Sequence, residues 1–295
     1  MPDPIKPATT KPASADSLDP PPPLHERIRN PAFRHAVALM DAGDAEALRP
    51  YLRALPDLAR ERIALDGPPY FRNPTLLAFI AENPIRCGTL PPNIVEIAEV
   101  LLHAGAAKDQ EALSEVLALI ASGRVARECS VQLPLIDLLC RHEADPDAAM
   151  LPALVHAEFE AAHALIRNGA AVDIVVAAAL GQANDVPIML TAASSEERRQ
   201  ALALAAQFGH TRIVALLLDA GEDPGGWNPE GTHAHSTPLH QAALAGHMEV
   251  VTLLVERGAR LDRKDTLWQG TPEDWARHAG KTKIANYLRT QREHG

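Results

Sequence analysis

Large rings are scarce in this 295-residue chain: Phe, Trp and Tyr together make up 4% of it, against 46% hydrophobic residues overall. That excludes a core built round aromatic clusters and favours thin layers of small aliphatic side chains. Cysteine is also rare. Cys87, Cys129 and Cys140 are an odd number without C-x-x-C spacing, which excludes a disulfide framework and fits reduced thiols in a reducing, cytoplasmic compartment. No apolar run approaches eighteen residues, so no spanning helix is expected. Positive charge is in deficit, with 28 basic against 38 acidic residues and a formal charge of −10. Nucleic acid and anionic membrane are therefore poor partners. Only six of the basic residues are Lys, and this bias, with abundant Ala, suggests a GC-rich bacterial genome. The chain lacks G-x-S-x-G, P-loop and G-x-G-x-x-G motifs, and it lacks period-2 alternation, so the expected class is all-α.

Proline is unevenly spread. Eight of the 25 fall in residues 1–24, including Pro20 to Pro23 in succession. This segment is expected to be a disordered or polyproline-like leader, since its composition cannot form a packed core. It has no positive region followed by an apolar run, so it does not read as a signal peptide. A polar tail is expected at 293–295.

Residues 237–258 read TPLHQAALAGHMEVVTLLVERG. Thr237-Pro238 places a hydroxyl at a helix start and proline at the first helical position. Ala242, Ala243 and Ala245 allow a close-packed first helix, and Gly246 supplies the turn. Val250, Val251, Leu253 and Leu254 form the stripe of a second helix that Gly258 ends. This unit resembles an ankyrin repeat, with its T-P-L-H-x-A-A start and its G-H-x-x-V-V-x-L-L-x-x-G-A second half. A period near 33 residues recurs. Thr271-Pro272 lies 34 positions on, giving a unit at 271–290, and 200–221 aligns upstream, although Gln200, Ala201 and Ala203 replace the capping Thr, the Pro and the His. Segments 40–52, 75–83 with 93–106, 135–146, 163–173 and 175–190 read as degenerate units. The resemblance implies one ankyrin-type α-solenoid over 25–292, of about eight helix pairs joined by short hairpin fingers.

It also implies that partners occupy the fingers and the concave face of the inner helices. Gly221 to Thr237 is 16 positions, against 13 from Gly258 to Thr271, so the finger EDPGGWNPEGTHAHS at 222–236 is enlarged. The finger after it is ARLDRKDTLWQG at 259–270. Each carries a tryptophan, a residue that concentrates binding energy at interfaces. Trp227, Asn228, Glu230, His235, Asp265, Trp268 and Gln269 are the expected contact residues. Trp275, in the last first helix, reads as packing. Between residues 138 and 166 the spacing is too short for fingers, while loops near 59–74 and 84–92 are ornamented.

The histidines offer the one rival chemistry. His233 and His235 are two apart beside His240 and could begin a zinc site or a metal-dependent enzyme. The structural alternative is that all three bond finger backbone, as the resemblance implies for His240; His210 and His247, at the family's G-H position, are expected to act in the turns. His156, Glu160 and His163 read as one helix face, and the acids Glu196-Glu197 and Glu158/Glu160 as solvated. His25-Glu26 and His142-Glu143 start an H-E-x-x-H motif but lack its second His. No nucleophile, base and orienting group assemble. The expected function is a non-catalytic protein-binding module, monomeric and without a cofactor, whose partner is a protein.

Overall fold

The computed structural model describes residues 27–65, 73–83 and 85–294. Leader residues 1–24 and part of the 59–74 loop lie outside these.

Recurring start signals divide the described chain into helix pairs. Asn30 accepts hydrogen bonds from the Ala32 and Phe33 N–H groups, with Pro31 first in α1 (Pro31–Asp41). Asp145 and Pro146 open α7 (Pro146–Val155) the same way, and Asp173 caps α9 (Ile174–Ala179). In each case a side-chain oxygen satisfies amides that the first turn leaves unpaired.

The inner member of each pair is, in order, α1, a 3₁₀ helix at Leu76–Ala81, α4 (Gln110–Ala121), α7, α9, α11 (Ser195–Phe208), α13 (Pro238–Ala245) and α15 (Pro272–His278). The outer members are α2 (Ala45–Ala54), α3 (Ile94–His103), α6 (Gln132–Arg141), α8 (Phe159–Arg167), α10 (Val186–Met189), α12 (Thr211–Asp219), α14 (Met248–Glu256) and α16 (Thr282–His294). A short extra helix, α5 (Arg124–Glu128), sits between α4 and α6. Successive inner helices touch along the whole stack, so the described residues form eight pairs and contain no strand. One buried, largely aliphatic core runs from Ile28 to Leu288 and includes alanines of the inner helices, among them Ala153, Ala177, Ala205 and Ala242. These are the small side chains expected from the composition.

Several local expectations change. The unit at 200–221 does not lack a cap. Its helix starts further back, at Ser195, where Ser194 accepts from the Glu197 amide and Glu197 accepts from the Ser194 amide. Glu197 makes this reciprocal box at the surface, so it stays in solvent. Glu158, by contrast, is 5% exposed and ion-paired with Arg127, so it is not a solvated acid. His156 ends α7, while Glu160 and His163 belong to α8; the three do not share a helix. Leu253 is only half-buried at the edge of its stripe, whereas Val250, Val251 and Leu254 are fully buried. The helix α16 continues through His294, into the segment expected as tail.

Two of the turns, those before α12 and α14, are tied to the preceding layer by a histidine. His210 Nε2 lies 3.0 Å from the Ala179 carbonyl, and His247 Nε2 lies 3.1 Å from that of Gln207. The rings cover Gly181 and Gly209. A Cβ on Gly209, at φ +78°, would stand 2.5 Å from His247, so both the turn and the ring require glycine there.

Candidate binding surface

The two C-terminal fingers are fastened to each other and to the stack. Within the enlarged finger, the Asn228 amide donates to the Ser236 carbonyl, closing a loop over 228–236. Ser236 Oγ donates to the His233 carbonyl and accepts from Asn228 Nδ2 and Gln241 Nε2. The finger then leans back across the inner face. A Cβ on Gly231 would come within 2.8 Å of Leu151 in α7, and the His233 ring meets the Val155 carbonyl. His233 holds φ +60°, a left-handed value unusual outside glycine.

The last finger is organised by one carboxylate. Asp265 is fully buried. Its Oδ1 accepts from the Leu267 and Trp268 amides at 2.9 and 2.6 Å, and its Oδ2 accepts from the Gly270 amide and Trp275 Nε1 at 2.7 and 3.0 Å. Burial works to raise its pKa, but the donors from Trp268, Trp275, Gly270 and Leu267 together hold it below the ordinary value. Two bonds join the fingers: the Thr266 amide donates to the His235 carbonyl at 2.9 Å, and Arg263 Nη1 donates to the Gly225 carbonyl at 2.7 Å.

His240 links this assembly to the next layer. Its Nδ1 receives the Thr237 hydroxyl at 2.8 Å and faces the Thr237 amide at 3.3 Å, while Nε2 lies 3.1 Å from the Gly270 carbonyl. Those partners require a neutral ring protonated on Nε2. Burial accordingly pushes its pKa down to about 4. His233 is lowered to about 4 as well, chiefly by burial and then by the neighbouring imidazoles His235 and His156. Among the described residues, no group of three or more His, Cys, Asp or Glu is placed to hold a metal ion. The His233 and His235 rings stand edge to face with centroids 5.9 Å apart, and His235 packs on Trp268 and Trp275.

The expected contact residues thus separate into three groups. Trp227 is 39% exposed, with the Arg263 guanidinium 5.1 Å above its ring; Glu230 and Gln269 are exposed beside it or on the neighbouring finger. Asn228 and Asp265 face inward, 3% and 0% exposed, and shape the loops. Trp268 and His235 are intermediate, packed against Trp275. Sequence reasoning missed Leu267, 61% exposed at the tip of the last finger. An apolar residue in a loop, outside any helical stripe, was the available signal. It also missed Arg199 and Arg263, which line a cavity of about 380 Å³ with Trp227; no spacing rule brings α11 and the last finger together.

A stack of helix pairs with loops presented along one edge defines a repeat protein of the α-solenoid class. A model described as ankyrin repeats (3 copies) matches residues 125–265 and 202–293, and the chain belongs to the ankyrin repeat family. Similar curated proteins include the human cyclin-dependent kinase 4 inhibitor B, 37% identical over 82 residues, which are 28% of this chain and 56% of that protein. The Monodelphis domestica cyclin-dependent kinase inhibitor 2A is 37% identical over 81 residues, 28% of this chain and 45% of the relative. The Bos taurus cyclin-dependent kinase 4 inhibitor B is 32% identical over 127 residues, 41% of this chain and 93% of the relative. The chain thus spans about half the length of the first two. Among the described residues, no helix is long and apolar enough to cross a membrane.

Proposed function

We propose that this chain is a non-catalytic protein-binding module whose contact surface is the pair of C-terminal fingers with the adjoining inner-helix face. The carrying observation is that Trp227 and Leu267, the large exposed apolar side chains of these fingers, stand on loops that are bonded to each other and anchored by Asp265. Apolar area held in place before binding contributes affinity without the ordering cost of a floppy loop. Glu230, Gln269, His235 and Trp268 form the surround. Asn228 and Asp265 act by positioning it. Relatives named as inhibitors of a cyclin-dependent kinase support the class of partner, a protein, and do not specify which one. A monomer in a bacterial cytoplasm is the setting that the composition suggests.

The test is retention of partners from host lysate by the full chain and by a Trp227→Ala/Leu267→Ala variant. Both side chains are exposed, so folding should be unchanged by circular dichroism. A protein held by the parent and lost with the variant supports the reading; equal retention moves the site away from the fingers. Absence of any specific partner counts against a binding module.

A further inference from the structure

The cavity between α11 and the two fingers has a chemistry of its own. Arg199, from the second turn of α11, and Arg263, from the last finger, line it together with Trp227, Leu202, Asp223 and Asn228. Other arginines of this region are matched to carboxylates: Arg198 to Glu222, Arg257 to Asp219, Arg260 to Asp262. Among the described residues, neither Arg199 nor Arg263 has a carboxylate within ion-pair distance. Arg199 uses Nε on the Ser195 carbonyl at 3.3 Å, which leaves its terminal nitrogens to solvent. Arg263 is fixed by the Gly225 carbonyl and stacked over Trp227. In a chain of net charge −10, two unmatched guanidinium groups at one aromatic-walled cavity are a local reversal of sign.

Asn228, in the same wall, is held in one orientation. Ser236 Oγ gives its proton to the His233 carbonyl, so it can only accept from Asn228, which fixes the amide with Nδ2 toward Ser236. The remaining atom, Oδ1, is buried without a partner. Such an acceptor is costly to leave unmet, but it lies behind the cavity wall, closed to solvent, and is not a contact point for a ligand. Asp223, tied to the Gly225 amide at 2.8 Å, makes the wall's net charge +1. A single negative charge suits that wall better than the double charge of a phosphate.

We propose that this cavity is a receptor for a glutamate or aspartate side chain of the protein partner, held between Arg199 and the Arg263–Trp227 stack. The proposal rests on the binding-module reading and names the chemistry of the partner at that site. Guanidinium pairs carboxylate in a two-point geometry, and the Trp227 face covers the aliphatic part of the bound side chain. The overall acidity of the chain therefore does not dictate a basic partner at this position.

The test uses the ¹⁵N-labelled full chain and a capped Gly-Glu-Glu-Gly peptide titrated to millimolar concentration. The reporters are the Trp227 indole and the Arg199 Nε–H resonances, assigned from Trp227→Phe and Arg199→Gln spectra. The expected result is saturable shifts of both, at least tenfold weaker with the Gln-for-Glu peptide and at least fivefold weaker in Arg199→Gln. Equal response to the Glu and Gln peptides would overturn the proposal, as would preference for a phosphoserine peptide or shifts confined to other residues. Partner capture from lysate separates the two readings. A partner retained equally by parent and Arg199→Gln, with no peptide response, removes the carboxylate receptor and leaves the module. A specific peptide response without any captured protein counts against the module reading and leaves the cavity as a carboxylate site without its protein partner.

Discussion

Replacing Asp265 with Asn tests the logic of the last finger more sharply than replacing it with Ala. The carboxylate is fully buried and accepts four N–H donors. Hydrogen bonds to a charged acceptor contribute roughly 1.5–3 kcal/mol each when removed singly, but not all four losses count in full. The Leu267 and Trp268 amides lie in an exposed or half-exposed loop and can turn to water, whereas Trp275 Nε1 is buried. A net loss of about 3–5 kcal/mol is expected for Asp265→Ala. Asparagine preserves the volume and the oxygen that serves Leu267 and Trp268. Its NH₂, however, would face the Gly270 and Trp275 donors, so about 3 kcal/mol should still be lost. Urea denaturation followed by tryptophan emission suits the question, because Trp268 and Trp275 both contact this carboxylate. An Asp265→Asn protein within about 0.5 kcal/mol of the parent, a change typical of a neutral surface substitution, would refute the idea that the charge organises the finger. The pH dependence has a defined sign. The folded pKa is depressed below 3.8, so this stabilisation is present above pH 3.8 and is lost as pH falls through the lower, folded value.

Three further outcomes are expected. Gly209→Ala should cost about 2–4 kcal/mol, since the new Cβ meets the His247 ring, while Gly258→Ala, at φ +91° with nothing within 4 Å, should cost only about 1 kcal/mol for its left-handed backbone; thermal denaturation of the pair separates collision from conformation. Leu254→Ala should lose about 3 kcal/mol and Leu253→Ala about 1 kcal/mol, because only the former is fully buried; equal losses in urea melts would contradict that placement. His240, with its folded pKa lowered to about 4, should make the protein less stable as pH drops from 6.5 toward 4, by on the order of 3 kcal/mol. Stability measured across that window should be flatter in His240→Gln.

The repeat architecture was legible because its signals are local. Thr237-Pro238 and Thr271-Pro272 mark helix starts, Gly246 marks a turn, and Val250, Val251 and Leu254 repeat at helical spacing. The N-terminal repeats yielded by spacing, although Leu76–Ala81 winds as a 3₁₀ helix, a distinction that an apolar run does not encode. The candidate surface was legible in part. Trp227 and Trp268 stood out as residue types, but whether each projects or packs depends on neighbours remote in sequence. Trp268 folds against Trp275 and His235, while Trp227 stays open beside Arg263. Asp265 looked like a loop acid available for contact, because its four donors converge only after the finger has closed. The cap of α11 was missed through reliance on the repeat register, which placed the helix start near Gln200, although Ser194 and Glu197 carry the capping-box spacing.

Repeat proteins are often treated as strings of interchangeable units. The enlarged finger argues against that between α7 and α13. The six-residue α9 and the short connection before it leave little material in the fifth layer, and the 222–236 loop reaches over it to Leu151 and Val155 in the fourth. Gln207 Nε2 spans the same gap to the Val155 carbonyl at 2.9 Å. A deletion in one unit is thus matched by an extension rooted two units later. Neither could be transplanted or trimmed alone, so shuffling or shortening this array within residues 146–245 should fail.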